Sequence, residues 1–357
     1  MSQRTSILHS AHPESAVTGE IGDATVVRKF EDLETEYSAL RDRAGLIDLG
    51  GATLIKVSGP AAEDFLQNVL ARDVEYLTPE RCITSLILDV EGEIVDLVTV
   101  WGHDDGAIIE SSVGGGARLL EHLGSVEADS VELTDISGAF VVIALEGPYS
   151  WGVIGRLIDT ELPALPLDSV AETEWDGTEI LFARTGATGE YGYKMMVPAE
   201  AATNLWNKAA AEATPVGFDV HSLAMLEVRQ PVPHHEFGPG TSVLVSGTNW
   251  LVDITKEEFL GRDAVLAEFE GAPGRRTVGF SMDGEAPAAG TPILAGDQQI
   301  GEIVHAVHSP GLGEALGLAR VDAEFAAAGL ELTAADHPVQ TLSSTYITPK
   351  SWTIPIV

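Results

Sequence analysis

The chain has 357 residues, enough for two or three domains with sizeable cores. Its 20 Lys and Arg against 55 Asp and Glu give a formal net charge of −35, which argues against nucleic-acid or anionic-membrane partners, because phosphate surfaces call for a basic footprint. The single Cys82 excludes an internal disulfide framework or a Cys-rich metal site, and the lack of a long apolar run or a signal-peptide core near Met1 indicates a cytoplasmic protein.

In chain order, residues 1–25 are polar without a periodic segment and read as a flexible N-terminal arm. Apolar residues at helical spacing predict a helix from Phe30 to Arg41, stopped by Gly45. Strands follow at Leu46–Leu49 and Thr53–Val57, then an amphipathic helix from Ala61 to Leu70. The segment from Ser85 to Trp101 predicts a hairpin about Val90-Glu91-Gly92-Glu93, its return strand running from Ile94. Strand alternation puts Ile94, Asp96, Val98 and Val100 on one face. Both faces are mostly apolar, so Asp96 is a buried carboxylate: either a structural group bonded to backbone amides or a working acid or base with a raised pKa.

A short strand at Ala107–Ser111 leads through Gly114-Gly115-Gly116 into a helix ending near Leu123; without a following Lys-Ser/Thr these glycines read as a turn, not a phosphate cradle. Strands at Phe140–Leu145, Glu179–Arg184 and Tyr193–Val197 alternate with helices at Tyr149–Ile158 and Pro198–Ala211. No Gly-x-Gly-x-x-Gly opens any of these units, which favours split α+β domains over a dinucleotide fold. A helix from His221 to Arg229 precedes a long loop at 230–248. Beyond a linker near Gly271-Ala272-Pro273-Gly274, short strands at Thr277–Met282, Thr291–Leu294, Gln299–His305 and Ala315–Val321 indicate a small separate β-barrel. The domain expectation is therefore an arm at 1–25, an α+β region of two split subdomains at 26–270, and a barrel at 275–357.

Other clusters are weaker. His234-His235-Glu236 lacks a third spaced ligand, and adjacent imidazoles on an extended chain point apart, so no metal is expected. His305 and His308 read as part of a polar turn before Ser309-Pro310. Cys82 has no evident base. Glu227 and Arg229 pair with each other or with neighbours.

The order and spacing of several segments resembles the aminomethyltransferase family, the T-protein of the glycine cleavage system and its folate-dependent relatives. The similar pieces are Tyr37 to Asp48, Val57 to Leu66, Gly92-Glu-Ile-Val-Asp-Leu97, Arg184 to Glu190, Lys256 to Arg262 and Gly301 to Pro310, within about residues 28–335. The resemblance implies an α+β fold of three domains in a cloverleaf around a central hole, with tetrahydrofolate in the hole and a small C-terminal β-barrel. It implies that Asp96 is the catalytic carboxylate. The implied cofactor-binding set is Tyr191 or Tyr193 against the pterin face, with Lys194, His221, Glu227 and Arg229 around it, and no metal ligand.

Three departures from the family pattern accompany this. Where the family has a Glu that accepts from the pterin ring, this chain has Lys194, a donor only. Where it has an Arg that meets the folate glutamate, this chain has His221. The family's Asp-x-Ser-His-Met cavity wall is Asp48-Leu-Gly-Gly-Ala52. The expectation is thus a divergent paralogue of the T-protein: a tetrahydrofolate-dependent transferase or demethylase moving a methyl or methylene group to or from a small amine, ether or thioether. The alternative is a folate-independent enzyme on the same scaffold, with Asp96 as general acid or base. A non-catalytic folate-binding assembly protein ranks last, because the segment Thr255 to Arg262 has no Cys where such relatives carry one. The partner is a small molecule, and the acidic surface disfavours an acidic carrier protein.

Overall fold

The computed structural model describes residues 3–159 and 162–356. Two sheets form the body. Six strands pair in the order Val170–Trp175, Thr178–Ala183, Gly192–Pro198, Phe140–Glu146, Gly45–Asp48 and Thr214–Pro215. Five pair in the order Cys82–Leu88, Ile94–His103, Gly106–Glu110, Leu54–Ser58 and Glu132–Asp135. The inner faces meet in one apolar core, where Leu54, Cys82, Trp101 and Ile108 of the five-stranded sheet pack with Ile47, Val142, Ala144 and Met196 of the other. Helices Ala62–Val69 and Gly116–Ser125 cover the outer face of the five-stranded sheet, and Ser150–Leu157 and Ala199–Ala210 that of the six-stranded one. Strands covered on both faces read as near-continuous apolar runs, as Phe140–Glu146 does.

Residues 3–29 are not a loose arm. Val17–Ile21 pairs antiparallel with Ala24–Lys29, and Arg4–Thr5 adds to its other edge in parallel. Leu8 is fully buried in the core beside the Ala199–Ala210 helix. Ser6 donates to Asp48 at 2.9 Å, and His12 Nε2 lies 3.2 Å from the same carboxylate. The polar composition hid a short sheet held by a few anchors instead of an apolar stripe.

The predicted hairpin forms as Cys82–Leu88 and Ile94–His103, with one difference of consequence. Asp96 pairs with Ile87 and Ile94 with Leu88, so Val95 is an extra residue, a β-bulge. Simple alternation therefore fails across it. Ile94 packs with Leu86 and Leu88, whereas Val98 and Val100 pack beneath the outer helices. From Asp96 onward alternation resumes, placing Asp96 with Val98 and Val100, and Leu97 with Thr99 and Trp101 on the inner side.

Beyond the body, Arg275–Met282, Glu314–Asp322, Gln298–Ser309, Pro292–Ala295, Glu331–Ala334 and His337–Leu342 close into a barrel. His305 and His308 lie within its longest strand, not in a turn. The segment 230–248 also differs from the expected loop, since it contains the short helices Pro233–Glu236 and Val243–Ser246. No helix is long and apolar enough to cross a membrane among the described residues.

The helix Phe218–Glu227 lies where the sheets meet the barrel, and all its residues except Asp219 are buried. Met225 and Leu226 pack against Leu316 and Leu318 of the barrel. Its last residue, Glu227, is fully buried and accepts hydrogen bonds from Tyr37 at 2.8 Å, Arg41 Nη2 at 2.9 Å and Ser309 at 2.6 Å. Removing the cation of a buried pair strands the remaining charge at a cost of about 3–5 kcal/mol. Arg41→Ala is accordingly expected to lower stability by about that amount in urea denaturation, and Glu227→Gln by less, because the amide oxygen still accepts and Glu190, 3.4 Å from Arg41, still offsets the guanidinium charge.

Candidate active site

One cavity of about 390 Å³ lies at the end of the interface between the two sheets, closed by the helix Phe218–Glu227 and the segment after it. Its apolar wall includes Leu49, Leu97, Val98, Val113, Phe218 and Met225. Its polar groups are Arg72, Thr99, Glu110, Glu146, Asp168, Lys194, His221 and His234. A larger, shallower groove of about 840 Å³ runs along the outer edge of the five-stranded sheet, lined by turn residues such as Glu63, Glu75, Asp104 and Asp105. The inner cavity is the better site, since apolar walls with a few convergent buried polar groups mark small-molecule sites.

Lys194 and Glu110 form a buried ion pair at 2.7 Å in this cavity. Lys194 Nζ also reaches Thr99 Oγ1 at 3.2 Å, and Glu110 Oε2 accepts from Trp101 Nε1 at 2.9 Å. The pair thus shows a carboxylate and an ammonium side by side. Deeper in, Glu146 accepts from the Ala187 and Thr188 amides and, at 2.6 Å, from the Thr188 hydroxyl. Burial pushes its carboxyl up, but His221 and Thr188 outweigh that and hold it below the usual range. His221 Nε2 stands 3.6 Å from Glu146 Oε1.

Of the residues singled out from the sequence, the structure brings Lys194 and His221 into the cavity. It corrects the placement of the others. Asp96 is 2 % exposed and lies one layer behind the wall. Its carboxylate accepts from the Leu97 amide at 2.8 Å and the Ser112 amide at 3.1 Å, tying the strand to the loop before the Gly116–Ser125 helix. Leu97 and Val98 after it line the cavity, and Asp96 does not. Tyr193 is fully buried in the core behind its sheet, stacked on Phe182 with ring centroids 5.7 Å apart. Tyr191 binds the C-terminal segment, donating its amide to Ser351 Oγ at 2.8 Å and its hydroxyl to the Ile354 carbonyl. Glu227 is the structural anchor described above. Arg229 donates to Glu236 at 2.8 Å and to the Ser246 carbonyl at 2.7 Å, outside the cavity lining.

Glu110 and Glu146 each end an apolar strand, and that position is the sequence signal that marks them, like Asp96, as buried carboxylates in need of partners. His234 and His235 do not point apart, because their segment is helical and not extended; their ring centroids are 3.9 Å apart, and His235 stacks on His305 at 3.6 Å. Burial lowers His234 to about 4, His235 to about 3 and His305 to about 4, so the stack is neutral near pH 7. Among the described residues, no group of three His, Cys, Asp or Glu is placed to hold a metal ion.

These features define a multi-unit α+β protein with an internal small-molecule cavity and a C-terminal barrel. Residues 8–256 match the GCVT N-terminal domain family, and residues 275–341 the glycine cleavage T-protein C-terminal barrel domain. The aminomethyltransferase of Geobacillus kaustophilus is 32% identical over 327 residues, 89% of this chain and 90% of that protein. That of Synechococcus elongatus is 31% identical over 316 residues, 85% and 84% respectively. The crystal structure of glycine cleavage system aminomethyltransferase T from Bartonella henselae has the same fold, with a TM-score of 0.89 over 98% of this chain and 99% of that one, at 20% identity. The chain belongs to the glycine cleavage T-protein family, whose named relatives are transferases of one-carbon groups.

The placement of Asp96 gives a pH prediction. Burial raises its carboxyl to about 6, against the pull of the Ser112 and Leu97 hydrogen bonds. An unfolded Asp titrates near about 4. The folded state therefore holds the proton more tightly, and this contribution is complete below about pH 4 and lost as pH rises through about 6. Asn at this position stays neutral and keeps an acceptor. Asp96→Asn is expected to gain on the natural chain by up to about 3 kcal/mol between about pH 4 and about pH 7, measured as urea midpoints across the range. A gap independent of pH would contradict the buried placement.

Proposed function

We propose that this chain is a tetrahydrofolate-dependent one-carbon transferase that moves a methyl or methylene group to or from a small amine, ether or thioether, and that it is a divergent paralogue of the T-protein. Tetrahydrofolate, when bound, supplies the amine nitrogen that takes or releases the carbon. The observation that carries the reading is the Lys194–Glu110 pair, buried in the cavity of a T-protein-family chain. A pterin is flat and shows adjacent ring N–H and C=O groups on one edge. Glu110 supplies an acceptor for the N–H, Lys194 a donor for the C=O, and the apolar wall a slot for the ring faces.

The departure at position 194 is compatible with this reading. The acceptor missing there stands on a strand of the facing sheet, 2.7 Å away. The residues present therefore fit the group. Asp96 is left out of the chemistry, and its part is to fix the backbone of Leu97 and Ser112 in the wall. A second reading, a folate-independent enzyme, is favoured by one fact: Lys194 already satisfies part of Glu110, so the pair can instead recognise another small polar substrate.

Calorimetry separates the two. The wild type is expected to bind tetrahydrofolate at micromolar concentration. Losing a charged hydrogen bond costs roughly 1.5–3 kcal/mol, so Glu110→Gln should weaken binding by about 10- to 100-fold. No heat from the wild type at millimolar ligand would end the folate reading and leave the second.

A further inference from the structure

Moving a one-carbon group between two heteroatoms exchanges carbon for hydrogen. For each bond exchanged, once for a methyl group and twice for a methylene group, the acceptor nitrogen loses a proton as its bond to carbon forms, and the donor heteroatom gains one as its bond to carbon breaks. Atoms and charge balance if one group in the site takes that proton and hands it on.

The carboxylates of the cavity are poorly placed for this. Glu110 is engaged by Lys194 and Trp101. Glu146 is held by the Ala187 and Thr188 amides and the Thr188 hydroxyl. Asp168 accepts from the Thr185 hydroxyl at 2.9 Å. Asp96 does not line the cavity. His221 differs from all of them. Among the described residues lining the cavity, it alone buries side-chain polar atoms without a hydrogen-bond partner, and both ring nitrogens are in that state. It is 5 % exposed. Leaving such groups unpaired is costly, and a buried orphan facing a cavity is what a bound ligand satisfies.

We infer that His221 is the proton-transfer residue of this cavity and that Glu146 is its positioning residue, an inference that rests on the folate reading above. Glu146 Oε1 faces Nε2 at 3.6 Å, a contact slightly longer than a hydrogen bond. Such contacts are often loose before substrate binds. Since the carboxylate only accepts, Nε2 carries the hydrogen and Nδ1 presents a lone pair. The four hydrogen bonds from 187 and 188 leave Glu146 no freedom to follow another partner. His221 Nδ1 takes the proton released at the acceptor nitrogen and returns it to the departing donor atom. Phe218, edge-on to the imidazole with centroids 5.9 Å apart, limits its rotation.

The test uses the full-length protein labelled with ¹⁵N-histidine and tetrahydrofolate as the probe, so no donor substrate is needed. The resonances missing in His221→Gln identify this imidazole. On saturation with tetrahydrofolate its Nδ1 signal is expected to shift as the lone pair acquires a partner. In Glu146→Gln the free protein is expected to lose the single Nε2–H tautomer and show a mixture, a change that a merely structural carboxylate would not produce. Calorimetry on His221→Gln should still detect tetrahydrofolate within about tenfold of wild type. Saturable binding with an unmoved His221 Nδ1 signal would overturn this inference while the folate reading stands. Binding abolished in the wild type would overturn both. A Glu146→Gln spectrum identical to wild type would overturn the role of Glu146.

Discussion

The carboxylate of Glu227 is the point on which the arrangement of the chain depends. It ends the central helix and is bonded by Tyr37 and Arg41 from the first helix and by Ser309 from the barrel, while its own carbonyl accepts from the Tyr346 amide. Arg41 extends the network to the Thr188 carbonyl at 2.7 Å and to Glu190, which in turn holds Ser351. A buried charge tolerates no loose geometry, so segments more than 300 residues apart in sequence, at 41 and 346, are fixed against one helix. The same helix carries His221 six residues earlier, and the 187–188 amides that hold Glu146 belong to the turn that Arg41 grips. The site inherits its precision from that anchor.

Charge is deployed differently inside and outside. The surface carries the excess acid that sets the net charge of −35. Inside, carboxylates occur beside cations or backbone amides: Glu227 with Arg41, Glu236 with Arg229, Glu110 with Lys194, Glu146 with the 187–188 amides. Each buried acid therefore specifies a partner and a geometry, while surface acid is screened by salt within about 10 Å. Within the cavity an anionic ligand meets positive charge from Lys194 and from Arg72 at the wall.

Much of the fold was legible. Apolar runs, glycine stops and turn residues located most strands and helices to within a few positions, because these elements are covered on one or both faces and their patterning is strong. The N-terminal sheet was not legible, since Ser6, Leu8 and His12 hold it by single contacts that leave no period in the sequence. The site was legible only in part. A buried carboxylate was correctly inferred at Asp96, but the face it occupies is set by a bulge, and nothing in Ile94-Val95-Asp96 announces one. Tyr193 and Glu227 lie beside site residues in sequence and on the opposite side of their strand or helix in space. Glu110 and Glu146 become visible only when the two sheets are brought together, since each acquires its meaning from a residue on another segment.

The extra residue at Val95 makes the character of the cavity wall a matter of backbone phase. Downstream strand pairing is fixed by Trp101 and Thr99, and upstream by the turn at Gly92. If the surplus residue were accommodated two positions later, Asp96 would rotate inward and Leu97 would take its place in the strand's irregular step. An oily wall would become an acidic one with no change of amino acid there. The phase of this hairpin thus decides whether residue 96 or residue 97 stands on the inner face, while every anchor of the scaffold stays in place.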